Sequence, residues 1–198
     1  MNDMQLKQLI LQSLEHEIGG VDIYENAIEC AINEDLRDEW EEYLDQTRTH
    51  VEILQEVCTA FGIDPEEEAP GRAVVRSVGK SLVEAMNLAR NGGDPAAAQL
   101  VACEAVVLAE TKDHLNWELL GKCAEKLRGS QATALRQAYE QVEDEEDEHL
   151  YHTKGWCREL WQESLGLPAV LPPPEEIHDV KTAIGAARAE QASERSRR

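Results

Sequence analysis

Glu17, His50, Glu110, Glu146 and His149 occupy positions where helical periodicity calls for apolar side chains. Burying an unpaired carboxylate costs several kcal/mol or more, so such a group neutralises, pairs or coordinates a metal. Carboxylates can bridge two hard cations and offset their charge, and imidazole suits divalent iron. One such set on each of four long segments is the pattern of a metal site inside a helical bundle. Each residue also has a plainer explanation. Glu17 beside Gly19-Gly20 could face a small water pocket, and His50 could be a hydrogen-bonded core histidine. Glu146 lies in the acidic run 143–148, which could be a solvated face, and a one-residue shift of register would turn Glu145 inward instead.

The elements that must position these groups follow from the same periodicity. A first helix is expected over 3–32, capped by Asp3, with Leu6, Ile10, Leu14, Tyr24 and Ile28 on one side. Gly19-Gly20 interrupts it and weakens it by roughly 1 kcal/mol per glycine, in exchange for a close neighbour or a local bulge. Asn33 leads into a second helix over 34–61, whose stripe runs Leu36, Trp40, Tyr43, Thr47, His50, Leu54, Val57 and Phe61. Gly62 and Pro65 mark its end. A shorter helix over 72–90 shows Val74, Val75, Val78, Leu82, Met86 and Leu88 on one side. Asp94-Pro95 signals the start of the third long helix, which carries Glu110, His114 and Trp117. Ser130 is the expected cap of the fourth, which continues to about 165. Residues 166–198 are rich in proline and then polar, with a short helix expected over 180–189 and a mobile end from Ala192. A packing arm for a neighbouring subunit is one reading of this tail.

A faint internal repeat joins the halves. Tyr24 follows Glu17 by seven residues, and Trp117 follows Glu110 by seven. Seven residues is about two helical turns, so acid and aromatic share a face. Each such helix is followed by a long helix with a core histidine, His50 or His149. Two similar pairs imply a pseudo-symmetric four-helix bundle.

On these residues the chain resembles the ferritin-like superfamily of ferritins, bacterioferritins and rubrerythrins. That family sets a Glu from each of two helices, and a Glu-x-x-His from each of the other two, around a pair of irons. Glu17 and Glu110 match the single-Glu positions, and Glu146-Asp147-Glu148-His149 is a full Glu-x-x-His. His50 matches the other histidine, but Thr47 stands where its Glu partner belongs, so three carboxylates replace four. The stretch 44–54, running on to Phe61-Gly62, and the extra short helix also resemble a small bacterial stress-associated ferritin-like group.

The resemblance implies an all-α, antiparallel four-helix bundle over 1–165, with one short additional helix between the second and third long ones and a C-terminal tail over 166–198. It implies a di-iron carboxylate site holding one or two non-haem irons, or manganese. Glu17 and Glu110 would be terminal or bridging ligands, Glu146 a bridge, and His50 and His149 nitrogen ligands. The expected activity is oxidase or peroxide-linked chemistry in a stress response, with dioxygen or peroxide as the second partner. The alternative is a metal-free ferritin-like scaffold or interaction protein with a site degenerate at Thr47. Tyr24 is expected to hydrogen-bond a metal-bound carboxylate or, with Trp117, to be core packing. His114 could ligate, cap the pocket or donate to a carboxylate, whereas His16 and His152 are expected on the surface.

Composition narrows the function further. The formal net charge of −21 opposes binding to nucleic acid and to anionic membranes. No apolar run reaches the roughly 18 residues of a membrane span. The first residues lack the build of a secretory signal. Cys30, Cys58, Cys103, Cys123 and Cys157 are widely spaced without a CxxC, which suits reduced core thiols in a cytoplasm. No nucleophile elbow, Walker loop or nucleotide fingerprint points to another enzyme class. A homodimer is the default assembly.

Overall fold

The computed structural model describes residues 1–196, in which every regular element is an α-helix. They are α1 (Asp3–Cys30), α2 (Glu34–Phe61), α3 (Pro70–Asn91), α4 (Pro95–Lys126), α5 (Ser130–Ser164), α6 (Pro174–Ile177) and α7 (Ala183–Ser196). Asn2, rather than Asp3, caps α1 by accepting from the Gln5 amide at 3.3 Å. Asp3 instead sits in the first turn, where negative charge suits the helix dipole. Asn33 accepts from the Leu36 amide at 3.0 Å. At the end of α2, Gly62 takes φ +65°, and Ile63 N donates to Cys58 O at 2.9 Å while Gly62 N donates to Thr59 O at 3.1 Å. These two bonds form a Schellman stop, which places the left-handed residue at a glycine. Asp94 accepts from the Ala96 and Ala97 amides with Pro95 in the first turn. Ser130 is the first residue of α5 and not its cap; Gly129 holds that place at φ +80°.

Gly19-Gly20 does not interrupt α1, which runs through both. A Cβ at Gly20 would stand 3.2 Å from Cγ2 of Thr47, so the glycine lets α1 and α2 approach at the level of the candidate site.

Helices α1, α2, α4 and α5 form a closed ring of contacts, α1 with α2 and α4, and α5 with α2 and α4. The core inside that ring is two apolar clusters. One contains Ile23, Ala27, Leu36, Trp40, Ala102, Val106, Trp156 and Leu160. The other contains Ile10, Leu14, Leu54, Val57, Trp117, Leu120, Leu135 and Val142. On every long helix buried polar residues fall between the positions given to the two clusters: Glu17 on α1, Thr47 and His50 on α2, Glu110, Asp113 and Asn116 on α4, Glu146 and His149 on α5, while Ser13, Gln99 and Glu159 are buried within the apolar stretches. The order of the clusters reverses between neighbours around the ring, so each neighbour is antiparallel. The diagonal helices α2 and α4 therefore run the same way, and α3 carries the chain back between them.

The helix α3 lies outside the ring against α1 and α4. Its apolar side is only partly covered: Met86 is buried, while Val74, Val78 and Leu88 are exposed. A groove of about 500 Å³ runs between α3, α1 and α4, with Val75, Val78, Leu82, Ile23 and Leu108 in its walls. Its polar anchor is an ion-pair network. Arg72, 3% exposed, donates to Glu15 at 2.6 Å, and Arg76 donates to the same carboxylate at 2.5 Å. Burial pushes Glu15 upward, but the bonds from Arg76 and Arg72 outweigh it and hold its pKa below the ordinary 4.5. This contribution to stability is complete above about pH 4.5 and is lost as pH falls through the lower folded-state value. Thermal melts of Glu15→Ala should show a loss of about 3–5 kcal/mol at pH 7, because Arg72 is left buried without its carboxylate. The loss relative to wild type should shrink below about pH 4.5.

The C-terminal stretch folds back on α5. Arg158 pairs with Glu175 at 2.7 and 2.8 Å, and Glu159 accepts from Val170 N at 2.9 Å and from Ser193 Oγ at 3.3 Å. A Cβ at Gly155 would stand 2.7 Å from Glu175 Oε2, so that glycine admits the contact. The helix expected over 180–189 begins at Ala183 and continues to Ser196. The mobile end expected from Ala192 is thus helical to Ser196, with Ser193 buried because Glu159 holds it; Arg197 and Arg198 lie outside the described residues. All five cysteines are free thiols, with Cys30, Cys58 and Cys103 buried. No helix is long and apolar enough to cross a membrane among the described residues.

Candidate metal centre

The five residues singled out by type and spacing meet in the polar layer between the two apolar clusters. Glu17 and His50 are fully buried, Glu146 and His149 are 1% exposed, and Glu110 is 4% exposed. Among the described residues, two groups bring three ligand atoms within 4.8 Å of one another: Glu17, His50 and Glu146, and Glu110, Glu146 and His149. Glu146 belongs to both. His50 Nδ1 lies 3.1 Å from Glu146 Oε1 and 3.5 Å from Glu17 Oε1. His149 Nδ1 lies 3.7 Å from both Glu146 Oε1 and Glu110 Oε2.

The surrounding hydrogen bonds repeat with a two-fold pattern. Tyr24 Oη donates to Glu110 Oε1 at 2.8 Å, and Trp117 Nε1 donates to Glu17 Oε1 at 2.6 Å. The aromatic two turns after each single Glu thus holds the Glu of the opposite half. The histidines are exchanged in the same way. His50 Nε2 bonds Glu145 at 2.7 Å, and His149 Nε2 bonds Gln46 at 2.7 Å. Glu145 and Gln46 each stand four residues before the histidine of their own helix and support the histidine of the other. Because Gln46 Oε1 and the Glu145 carboxylate are acceptors, each Nε2 is the donor. In the neutral ring the lone pair is then on Nδ1, facing the carboxylates, which is the tautomer a metal needs.

The inward carboxylate atoms lack partners. Glu17 Oε2, Glu110 Oε2 and both oxygens of Glu146 are buried without a hydrogen bond. Burial pushes Glu146 up to about 7, with the Glu17 and Glu110 charges adding to the rise against the opposing pull of His50. Burial also raises Glu110, but His149 and Tyr24 overcome it and leave the carboxyl below its ordinary value. Burial disfavours charge on His50 and His149, yet the carboxylates facing them win and raise both. Imidazolium charge thereby offsets part of the buried negative charge until a cation does so.

Several sequence expectations change here. Glu146 is the inward acid of the run, as its place on the stripe predicts, while Glu145 sits at the rim and bonds His50. Of the three readings of His114, pairing with a carboxylate holds: its Nε2 lies 2.7 Å from Asp147 Oδ1, outside the two ligand groups. His16, expected on the surface, is half-buried and its Nε2 lies 3.0 Å from Ala109 O, because the groove under α3 opens onto it. His152, also expected on the surface, is 5% exposed, because the returning tail covers that side of α5. Thr47 is buried at 3% in the layer and faces Gly20. A fourth acid was not foreseen. Asp113, one turn after Glu110, is 4% exposed with an unpartnered oxygen. Burial, with the charges of Glu17, Glu146 and Glu110, pushes its pKa well up, so the neutral acid is favoured. The spacing Glu110-x-x-Asp113 was the available signal.

No family model, curated protein or solved structure matches this chain. The candidate centre therefore rests on its own geometry. Three carboxylates and two imidazoles offer hard oxygen and nitrogen donors, four carboxylate oxygens are without a hydrogen bond, and each ring in its neutral form turns the Nδ1 lone pair toward them. That donor set fits divalent iron or manganese, and the thiols stand apart from it.

Proposed function

We propose that the protein is a ferritin-like metal protein that binds one or two iron or manganese ions between α1, α2, α4 and α5. The observation that carries this reading is the sharing of Glu146 by two buried ligand groups, each of which keeps carboxylate oxygens without a hydrogen bond: Glu17 Oε2, Glu110 Oε2 and both oxygens of Glu146. The ring of antiparallel long helices with one long crossover through α3 supports the family resemblance. Glu17 with His50 would hold one ion, Glu110 with His149 the other, and Glu146 would bridge. When bound, such a metal supplies one-electron redox chemistry toward dioxygen or peroxide. The chain's own residues prepare for it. Trp117 and Tyr24 fix the outer oxygens of Glu17 and Glu110, so the free oxygens stay inward. Glu145 and Gln46 hold the imidazoles. The groove between α1, α3 and α4 offers a small apolar oxidant a path to His16, which is adjacent in sequence to Glu17.

A second reading is a scaffold that keeps this layer without metal. Thr47 favours it, since the neutral hydroxyl leaves the first half one carboxylate short. Anaerobic loading with Fe(II), followed by desalting and metal analysis, separates the two. Wild type is expected to retain one to two irons per chain more than Glu17→Ala/Glu146→Ala; equal iron in both would favour the scaffold.

A further inference from the structure

Beyond the buried layer, the folded-back tail closes a second polar cavity of about 450 Å³. From α2 come Asp35, Asp38, Glu39 and Glu42; from α5 come Glu148 and His152; from the tail comes Glu176. Among the described residues no lysine or arginine lines it, and the cation near it is Lys181, paired with Glu148. Six carboxylates facing one space repel one another, and an acidic surface by itself implies nothing more. Two further observations point to a ligand. His152 is 5% exposed, and its Nε2 has no partner. Its other nitrogen lies 3.1 Å from Glu39 Oε1 and 3.2 Å from Tyr43 Oη. Tyr43 and Trp156 donate to Glu39, so Glu39 is held as an acceptor that takes the Nδ1 proton of His152. This fixes the lone pair on Nε2, the arrangement in which metal-binding histidines are held by a carboxylate behind them. Glu176 Oε2 is also buried without a partner.

We propose that His152 and Glu176, with the carboxylates of α2 beside them, form a second divalent-cation site, made by α2, α5 and the tail. Oxygen donors with one imidazole suit Mn(II) or Fe(II). The site shares a wall with the buried centre, because Tyr43 lines the cavity and its ring lies 4.2 Å from that of His149. A cation held there would be next to the inner ligands without occupying them. The site does not depend on the inner centre being a metal site.

Mn(II) titration of the full chain, followed by calorimetry and by pulsed EPR for histidine nitrogen coupling, tests it. In His50→Gln/His149→Gln, which lacks the inner imidazoles, one equivalent of Mn(II) with nitrogen coupling is expected. Adding His152→Gln should remove that coupling, and adding Glu176→Gln should weaken binding at least tenfold. In the wild-type background Glu176→Gln, a change in a half-buried side chain of the short α6, should lose one equivalent while circular dichroism stays unchanged. No Mn(II) bound by His50→Gln/His149→Gln while wild type binds, or coupling that survives His152→Gln, would overturn the outer site. Equal binding by wild type and His50→Gln/His149→Gln would instead remove the inner centre and leave the outer one standing.

Discussion

Glu146→Gln is expected to abolish metal binding at both inner positions in one step, while Glu17→Gln and Glu110→Gln each spare the position opposite. The asymmetry follows from geometry: Glu146 is the member common to the two buried groups, and neither of its oxygens has another partner. A glutamine keeps the size but offers one neutral acceptor and no bridging charge. Losing an outer-shell support costs a metal site roughly 10–100-fold in affinity, and losing the bridge should exceed that range. Stability reads the same event. At a metal concentration about a hundred times Kd, each occupied site adds about 2.7 kcal/mol, and Glu146→Gln should lose the part that the inner positions supply in wild type. Calorimetry and thermal melts with and without Mn(II) measure both. Two independent sites without a shared ligand would make the three substitutions equivalent.

Thr47→Glu should act in opposite directions with and without metal. Thr47 is buried beside Gly20 in the polar layer, at the position where the resembled pattern carries a carboxylate. Without metal, a further buried acid in the layer that holds Glu17 and Glu146 should destabilise by roughly a few kcal/mol. With Mn(II) in excess, the added ligand should raise affinity and recover that loss. A purely structural layer would be destabilised equally under both conditions. Asp113 bears on the outcome, since it already supplies a fourth buried carboxyl on the other side of the layer. If Asp113 serves in place of the missing acid, Asp113→Asn should weaken metal binding in wild type more than in Thr47→Glu.

Much of the architecture was legible because period and punctuation agree. Asn33, Gly62 and Asp94-Pro95 are local signals whose hydrogen bonds close within a few residues, and they place the ends of α2 and the start of α4 correctly. The inward acids were legible for the same reason, since Glu17, Glu110 and Glu146 break apolar stripes. What periodicity cannot reveal is the partner across the bundle. Nothing in the stripes of α2 and α5 assigns Gln46 or Glu145 a partner, and their role appears once α2 and α5 are antiparallel and the imidazoles cross between them. The crossing of Tyr24 to Glu110 and Trp117 to Glu17 was hidden similarly, because seven-residue spacing places acid and aromatic on one face without saying which acid each will meet. His152 and Ser193 are buried by a tail whose composition suggested exposure. Its anchors, Arg158 to Glu175 and Glu159 to Val170, are long-range pairs with no local signature.

The most direct measurement is anomalous diffraction at the iron edge from crystals loaded anaerobically with Fe(II). Two peaks are expected in the polar layer, one beside Glu17 and His50 and one beside Glu110 and His149, with the Glu146 carboxylate between them. A fully loaded crystal with no anomalous density among those five side chains would contradict the metal centre.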